Sequence, residues 1–283
     1  MKKLAIQGLV IILLFFGTWY LLQQVDWMSV FKIEKMTKKT EQKLGNLFWD
    51  IFKKTDKENT NPFIINSIDS LVTKICVSND IDKTRIEFHV LDKDEINAFA
   101  LPNGRLVIYS GLILAAENQE ELSGVIGHEI AHIELNHVMK KLIKEVGFSV
   151  LISMTTGGGG TDMIKKTAKM LPSTAFDRNM EKEADTKAVE YLIKANIDPE
   201  PFANFLSRLS DSENGVMKHL SWMNTHPDSK ERAERIITHS KSVITMSEHV
   251  LSQETWNELK YQLMNEHEKA KQETIPTSGK GSL

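Results

Sequence analysis

Residues 124–138, GVIGHEIAHIELNHV, set three histidines and two glutamates into a run that is otherwise largely apolar. A helix built this way must bury charge on its packing face. Buried charge is tolerated only when it is paired or bound to a metal. At helical spacing, His128 and His132 stand at i and i+4, one above the other on one face. Two imidazoles so placed can hold one metal ion. Glu129 lies about 100° further round the helix, beside such an ion rather than on it. That is where a general base must stand to take a proton from a metal-activated water. Val125, Ile126, Ile130, Ala131 and Ile133 surround the motif and exclude solvent.

Catalytic zinc usually takes three protein ligands and leaves one position open. A third histidine six residues after the second is not present, because position 138 is Val, and the Gly such a pattern needs at 135 is Leu. His137 is one residue off that register and reads as structural or exposed. The segment NMEKEADTKAVEYL, 179–192, is the better source. Glu181 and Asp185 share a helix face there. Glu181 can ligate the metal, and Asp185 can accept a hydrogen bond from a ligand imidazole and fix its tautomer. Glu183, two residues on, is expected to point elsewhere round the helix and to leave the metal untouched.

The remainder of the chain bounds what surrounds this motif. A net charge of −3 gives no basic surface for nucleic acid. The single cysteine, Cys76, excludes an intrachain disulfide and a thiolate metal site. Within LVTKICVSND it reads as a buried, inert thiol. Lys2 and Lys3 precede an uncharged run from Leu4 to Leu22, about the length of a bilayer-spanning helix, with Trp19 and Tyr20 at its far end. The segment ends in bulky residues without a small-residue cleavage site, so residues 1–24 read as an uncleaved anchor. The two lysines keep the N-terminus cytoplasmic and send the rest of the chain to the extracytoplasmic side.

Helical periodicity runs over 31–54, 63–77, 117–150, 162–171, 177–195, 199–210, 228–245 and 250–272. Ile86, Phe88 and Val90 alternate as in a half-buried strand. The segments 96–101 and 105–110 flank LPNG, whose Asn-Gly pair signals a hairpin, so a small antiparallel sheet precedes the histidine helix. An open edge of that sheet would bind an extended substrate by strand addition. The expected edge is Arg105, Leu106, Val107, Ile108 and Tyr109, or the neighbouring strand bearing Asn97. Gly157–Pro172 links the metal helix to the Glu181 helix. Its four glycines and short amphipathic stretch, with Met163, Ile164 and Met170 free to pack, suggest a lid over the cleft. Residues 273–283 are polar and read as a disordered tail.

Four pieces together, INAFALPNGRLVIYSGLI, GVIGHEIAHIELNH, EKEAD and THPDSKERAERI, make residues 31–240 resemble the M48 metallopeptidases, the family of the HtpX-like, CAAX-prenyl-protease and Oma1-like branches. The resemblance implies an α+β, mostly α-helical, zincin-like (gluzincin) domain at 31–240 with a helical extension at 241–272. It implies one Zn2+ per chain, held by His128, His132 and Glu181, with Glu129 as base and Asp185 as support. His226 and Arg232 match a downstream His and Arg that line the site, and His226 reads as a donor to the oxyanion. A single anchor departs from the multi-spanning members and points to a single-anchor or soluble-domain branch. The expected activity is that of a membrane-anchored zinc endopeptidase acting on protein or peptide substrates. Its rivals are a catalytically silent, zinc-binding chaperone-like module and a helical membrane protein with a chance motif. His89, His219, His239, His249 and His267 have no partner spacing and take no role.

Overall fold

The computed structural model describes Gly17 and residues 33–211, 221–240 and 249–273. The expected anchor, Gly17 apart, therefore lies outside the described residues, as do 274–283 of the expected tail and His219. Among the described residues no helix is long and apolar enough to cross a membrane. The order is α1 (Ile33–Thr55), α2 (Pro62–Ser78), β1 (Glu87–Leu91), β2 (Ala98–Leu101), β3 (Arg105–Tyr109), α3 (Ser110–Ala115) and α4 (Gln119–Glu134). There follow α5 (His137–Val146), α6 (Phe148–Thr156), α7 (Thr161–Met170), α8 (Arg178–Lys194), α9 (Glu200–Asp211), α10 (Trp222–Thr225), α11 (Ser229–Ser240) and α12 (Gln253–Glu273). The architecture is α+β and mostly helical, as expected.

The sheet is mixed, not antiparallel. Its order is β1-β3-β2, with β2 antiparallel and β1 parallel to β3. Asn103 and Gly104, at φ 66° and 70°, make the tight turn their sequence signals. That turn folds β3 back beside β2 and inserts it next to β1. Arg105–Tyr109 is consequently the central strand, and the expected open edge at Arg105, Leu106, Val107, Ile108 and Tyr109 does not exist. All five residues are buried. Side chains of a strand alternate between faces. Leu106 and Ile108 join a core with α2, α4, α8, α9 and α12, whereas Val107 and Tyr109 join a second core with α1, α5, α6 and α7. The terminal strands are β2, next to Asn97, and β1, whose outer side bonds to residues 57–59.

The helical run 117–150 breaks into three. Asn136 adopts the left-handed conformation at φ 56° between α4 and α5, and Gly147 at φ 85° separates α5 from α6. Gly157, at φ 90°, closes α6. α4 starts where Asn118 caps the backbone N–H of Glu121 at 2.9 Å. It then crosses α9 closely: a Cβ on Gly124 would stand 2.3 Å from Phe202 Cβ. Gly124→Ala is therefore expected to destabilise the fold by a net of about 1–2 kcal/mol, overpacking exceeding the gain in helix propensity. Denaturant unfolding reads this directly, and a neutral outcome would show that the α4–α9 crossing can part. Cys76 is buried, and desolvation pushes its thiol up to about 11, so it is inert at neutral pH.

Candidate metal centre

α4 carries His128, Glu129 and His132; α8 carries Glu181 and Asp185; the turn after α10 carries His226; α11 carries Arg232. All seven side chains are buried. Ligand atoms of His128, His132, Glu181 and His226 lie within 4.8 Å of one another. The Nε2 atoms of His128 and His132 face each other at 3.0 Å. They stand 3.5 and 3.3 Å from the two Glu181 oxygens. His226 Nδ1 is 3.0 Å from Glu181 Oε1. Two or three imidazole nitrogens and a carboxylate fit a divalent cation, with the Arg232 guanidinium also 3.4 Å from His128 Nε2. The i, i+4 spacing read from the sequence is realised in both helices.

Around these donors the second set is also complete. Asp185 Oδ1 lies 3.1 Å from His128 Nδ1 and fixes the proton there, leaving Nε2 for a cation. The Arg232 guanidinium binds the same carboxylate through Nε at 2.9 Å and NH2 at 2.7 Å. It also donates to the His226 carbonyl at 3.2 Å and lies 2.9 Å from Glu181 Oε2 without hydrogen-bond geometry. Burial alone would raise the Glu181 carboxyl, but the Arg232 guanidinium and the imidazoles of His226, His128 and His132 around it hold it well below the usual range. Asp185 is likewise held down, against its burial, by Arg232 and His128. Burial and Arg232 act to lower His128, yet its bonds to Asp185 and Glu181 bring it up to about 9. Metal binding must displace that proton. Desolvation keeps His132 and His226 neutral.

Glu129 Oε1 accepts from the Trp222 indole N–H at 3.3 Å and lies 3.3 Å from His226 Nε2. Its Oε2 is buried with no hydrogen-bond partner. A buried carboxylate oxygen without a donor is costly and awaits one.

Sequence reasoning misses three groups that build the walls. Trp222 stacks on His226 with centroids 4.5 Å apart, and Phe176 stacks on His132 at 4.0 Å. Lys141 is buried, donates to the carbonyls of Leu171 and Thr174, and lies 4.1 Å over the Phe176 ring. Burial pushes its ammonium down to about 8. His137, expected to be structural or exposed, is fully buried and in contact with His132. Glu183 stays out of the donor cluster, and its carboxylate reaches His137 at 3.1 Å. In the expected lid, α7 has Met163 half-exposed and packs its buried Ala168 into the second core. The part that reaches the site is the turn after α7, ending at Phe176, whose N–H donates to Thr225 O. Asn97 is buried, with its amide 3.5 Å from Pro172 O. Of the histidines assigned no role, His89 stacks on Trp49, the exposed His249 meets Glu120, and His267 bridges Ser110 and Asp94.

The chain is similar in sequence to known proteins. The beta-barrel assembly-enhancing protease of Yersinia pestis is 27% identical over 198 residues, 63% of this chain and 41% of its own. The mitochondrial metalloendopeptidase OMA1 of Bos taurus is 32% identical over 162 residues, 52% of this chain and 31% of its own. The metalloprotease LoiP of Escherichia coli is 30% identical over 167 residues, 56% of this chain and 65% of its own. The chain thus spans less than two thirds of each of these relatives. The model of peptidase family M48 matches residues 65–240, from α2 to the end of α11. This stretch contains both the histidine helix and the Glu181 helix, and the chain belongs to peptidase family M48.

Proposed function

We propose that this chain is a zinc-dependent endopeptidase, anchored in a membrane by residues 1–24, that hydrolyses peptide bonds of misfolded or membrane-associated proteins. The convergence of four buried donors with the Glu129 carboxylate beside them carries this reading. Family membership and the metalloprotease names of the relatives support it. His128, His132 and Glu181 would hold the zinc ion, which when bound supplies a Lewis acid able to bring the pKa of water toward neutrality. Glu129 does the proton work. Its free Oε2 accepts the proton of the attacking water, and the same carboxyl delivers it to the departing amine. Asp185 keeps the His128 tautomer, and Arg232 keeps Asp185 in place.

With His226 in the cluster there are four protein donors, the number of a closed structural site; catalytic sites keep three. Release of the Trp222–His226 turn leaves three, and frees His226 to donate toward the developing oxyanion. The same release bares the approach to β2. Ile96 O, just ahead of that strand, accepts from the Trp222 backbone N–H at 3.1 Å, so the turn stands where an extended substrate would add beside Asn97. Lys2 and Lys3 support an orientation with the catalytic domain on the extracytoplasmic side. The complete burial of the donors is what a catalytically silent zinc module would also show, and one experiment separates the two. Purified protein should carry about one zinc ion per chain and cleave an unfolded protein. A chelator should stop cleavage and added Zn2+ restore it. Zinc without cleavage would favour the silent module; a chain that takes up no zinc would sink both.

A further inference from the structure

His132 presents Nε2 to the donor cluster and its other nitrogen, Nδ1, to Nδ1 of His137, 3.1 Å away. His137 Nε2 in turn lies 3.1 Å from Glu183 Oε2. The His137 ring is fully buried, whereas the Glu183 side chain is 59% exposed. One arrangement of protons satisfies all of these contacts when His132 acts as a ligand. The Nε2 lone pair is committed to the cation, so the ring proton sits on Nδ1. That N–H must donate to His137 Nδ1, which must then be the acceptor. A neutral imidazole accepting at Nδ1 carries its proton on Nε2, and this proton faces the Glu183 carboxylate. The reverse polarity fails at both ends. A His137 that donated from Nδ1 would turn a bare Nε2 toward a carboxylate that can only accept. It would also force the His132 proton onto the nitrogen that should bind metal.

We propose that His137 and Glu183 form a relay that sets the tautomer and ring orientation of His132, with Glu183 fixing the direction of both hydrogen bonds. It rests on the reading of His132 as a metal ligand. His128 receives the same service in one step from Asp185. His132 needs two steps because the nearest carboxylate on its outer side is at the protein surface. The backbone makes the contact possible. The left-handed turn at Asn136 ends α4 and starts α5 in a new direction, which brings the ring of His137 back against His132. His137 and Glu183 are positioning residues; neither belongs to the donor cluster.

The test uses the purified full-length chain and Zn2+ alone, titrated against a chromogenic chelator, together with thermal unfolding of the metal-free protein. His137→Leu should weaken Zn2+ binding by about 10–100-fold. His137→Gln should recover most of that loss, because its amide oxygen can accept from His132 while its NH2 donates to Glu183. Glu183→Ala should show a smaller, several-fold loss, with unfolding of the metal-free chain unchanged. The relay is overturned if His137→Leu binds Zn2+ like the parent, or if Gln binds it no better than Leu. Should His137→Leu fail to fold, Glu183→Ala decides, since it removes a mostly exposed side chain and leaves the His137 ring in place; an unchanged affinity then overturns the relay. A parent chain that loses Zn2+ on His128→Ala but is indifferent at His137 and Glu183 overturns the relay alone. A parent that binds no Zn2+ overturns the metalloenzyme reading as well.

Discussion

Glu129→Gln is expected to lower cleavage of an unfolded protein by about 10²–10⁴-fold while the chain retains its zinc. The two halves of this result have separate causes. Glu129 is absent from the four-donor cluster, so its replacement removes no ligand. Gln matches Glu in shape, and its amide oxygen can still accept the Trp222 indole N–H that Oε1 accepts at 3.3 Å. Packing around the base should therefore survive. What Gln cannot do is take up a proton. The atom lost is the buried Oε2, which has no partner in the resting fold and is free to meet a water. Metal content and turnover, measured on the same preparation, check the prediction. Parent-like turnover by this variant would refute the mechanism. Loss of zinc together with activity would mean that Glu129 holds the ion rather than serving beside it.

The donor cluster was legible in the sequence because its parts are written at helical spacing. His128 and His132, and Glu181 and Asp185, are i, i+4 pairs, and a helix converts that spacing into a shared face whatever else the fold does. Asn103-Gly104 was legible for a similarly local reason, since only a tight turn with positive φ uses that pair so well. Strand order was not legible. Whether Arg105–Tyr109 lies at an edge or in the centre depends on β1, which meets it in parallel beyond the β2 hairpin. The alternation of Leu106 and Ile108 against Val107 and Tyr109 contained a hint, because both sets are large and apolar, as a strand buried on both faces requires. The contact of His137 with His132 was not legible because His137 lies beyond a helix break. The i+5 offset from His132 has no meaning on one continuous helix, and only the left-handed Asn136 gives it one. Trp222, Phe176 and Lys141 reach the site from a four-residue helix, a loop and a neighbouring helix. No periodicity marks such residues. The local signal that existed was an aromatic placed just before the Asp177 cap of the Glu181 helix.

Arg232→Met is expected to cost about 3–5 kcal/mol of stability in the metal-free chain, the typical penalty for removing one partner of a buried ion pair, with Asp185 left only His128 and the part-exposed Arg235, 3.4 Å away. For a domain of this size that is roughly a 10 °C fall in the unfolding midpoint. Arg232 is fully buried and holds Asp185 by two hydrogen bonds while lying 2.9 Å from Glu181. It also packs 5.1 Å over the Trp222 ring, a contact that Met can partly replace. The larger part of the loss is thus electrostatic, and its pH dependence identifies it. In the parent, the Asp185 carboxyl is held below its usual value against its burial, so its contribution to stability is present above about pH 4 and is lost as the pH falls further. In the variant, burial acts with less opposition and raises the carboxyl. The variant then carries a penalty at neutral pH that disappears in acid. The gap between the two proteins should accordingly be widest near pH 7 and narrow toward pH 4. Removing the charge at the other end should also recover part of the stability: Arg232→Met with Asp185→Leu is expected to lie well above Arg232→Met alone, even though His128 loses its tautomer partner. A single-variant loss below about 1 kcal/mol, within the range of a surface pair, or a gap that does not change with pH, would show that Arg232 acts through packing and not through the charges that frame the metal ligands.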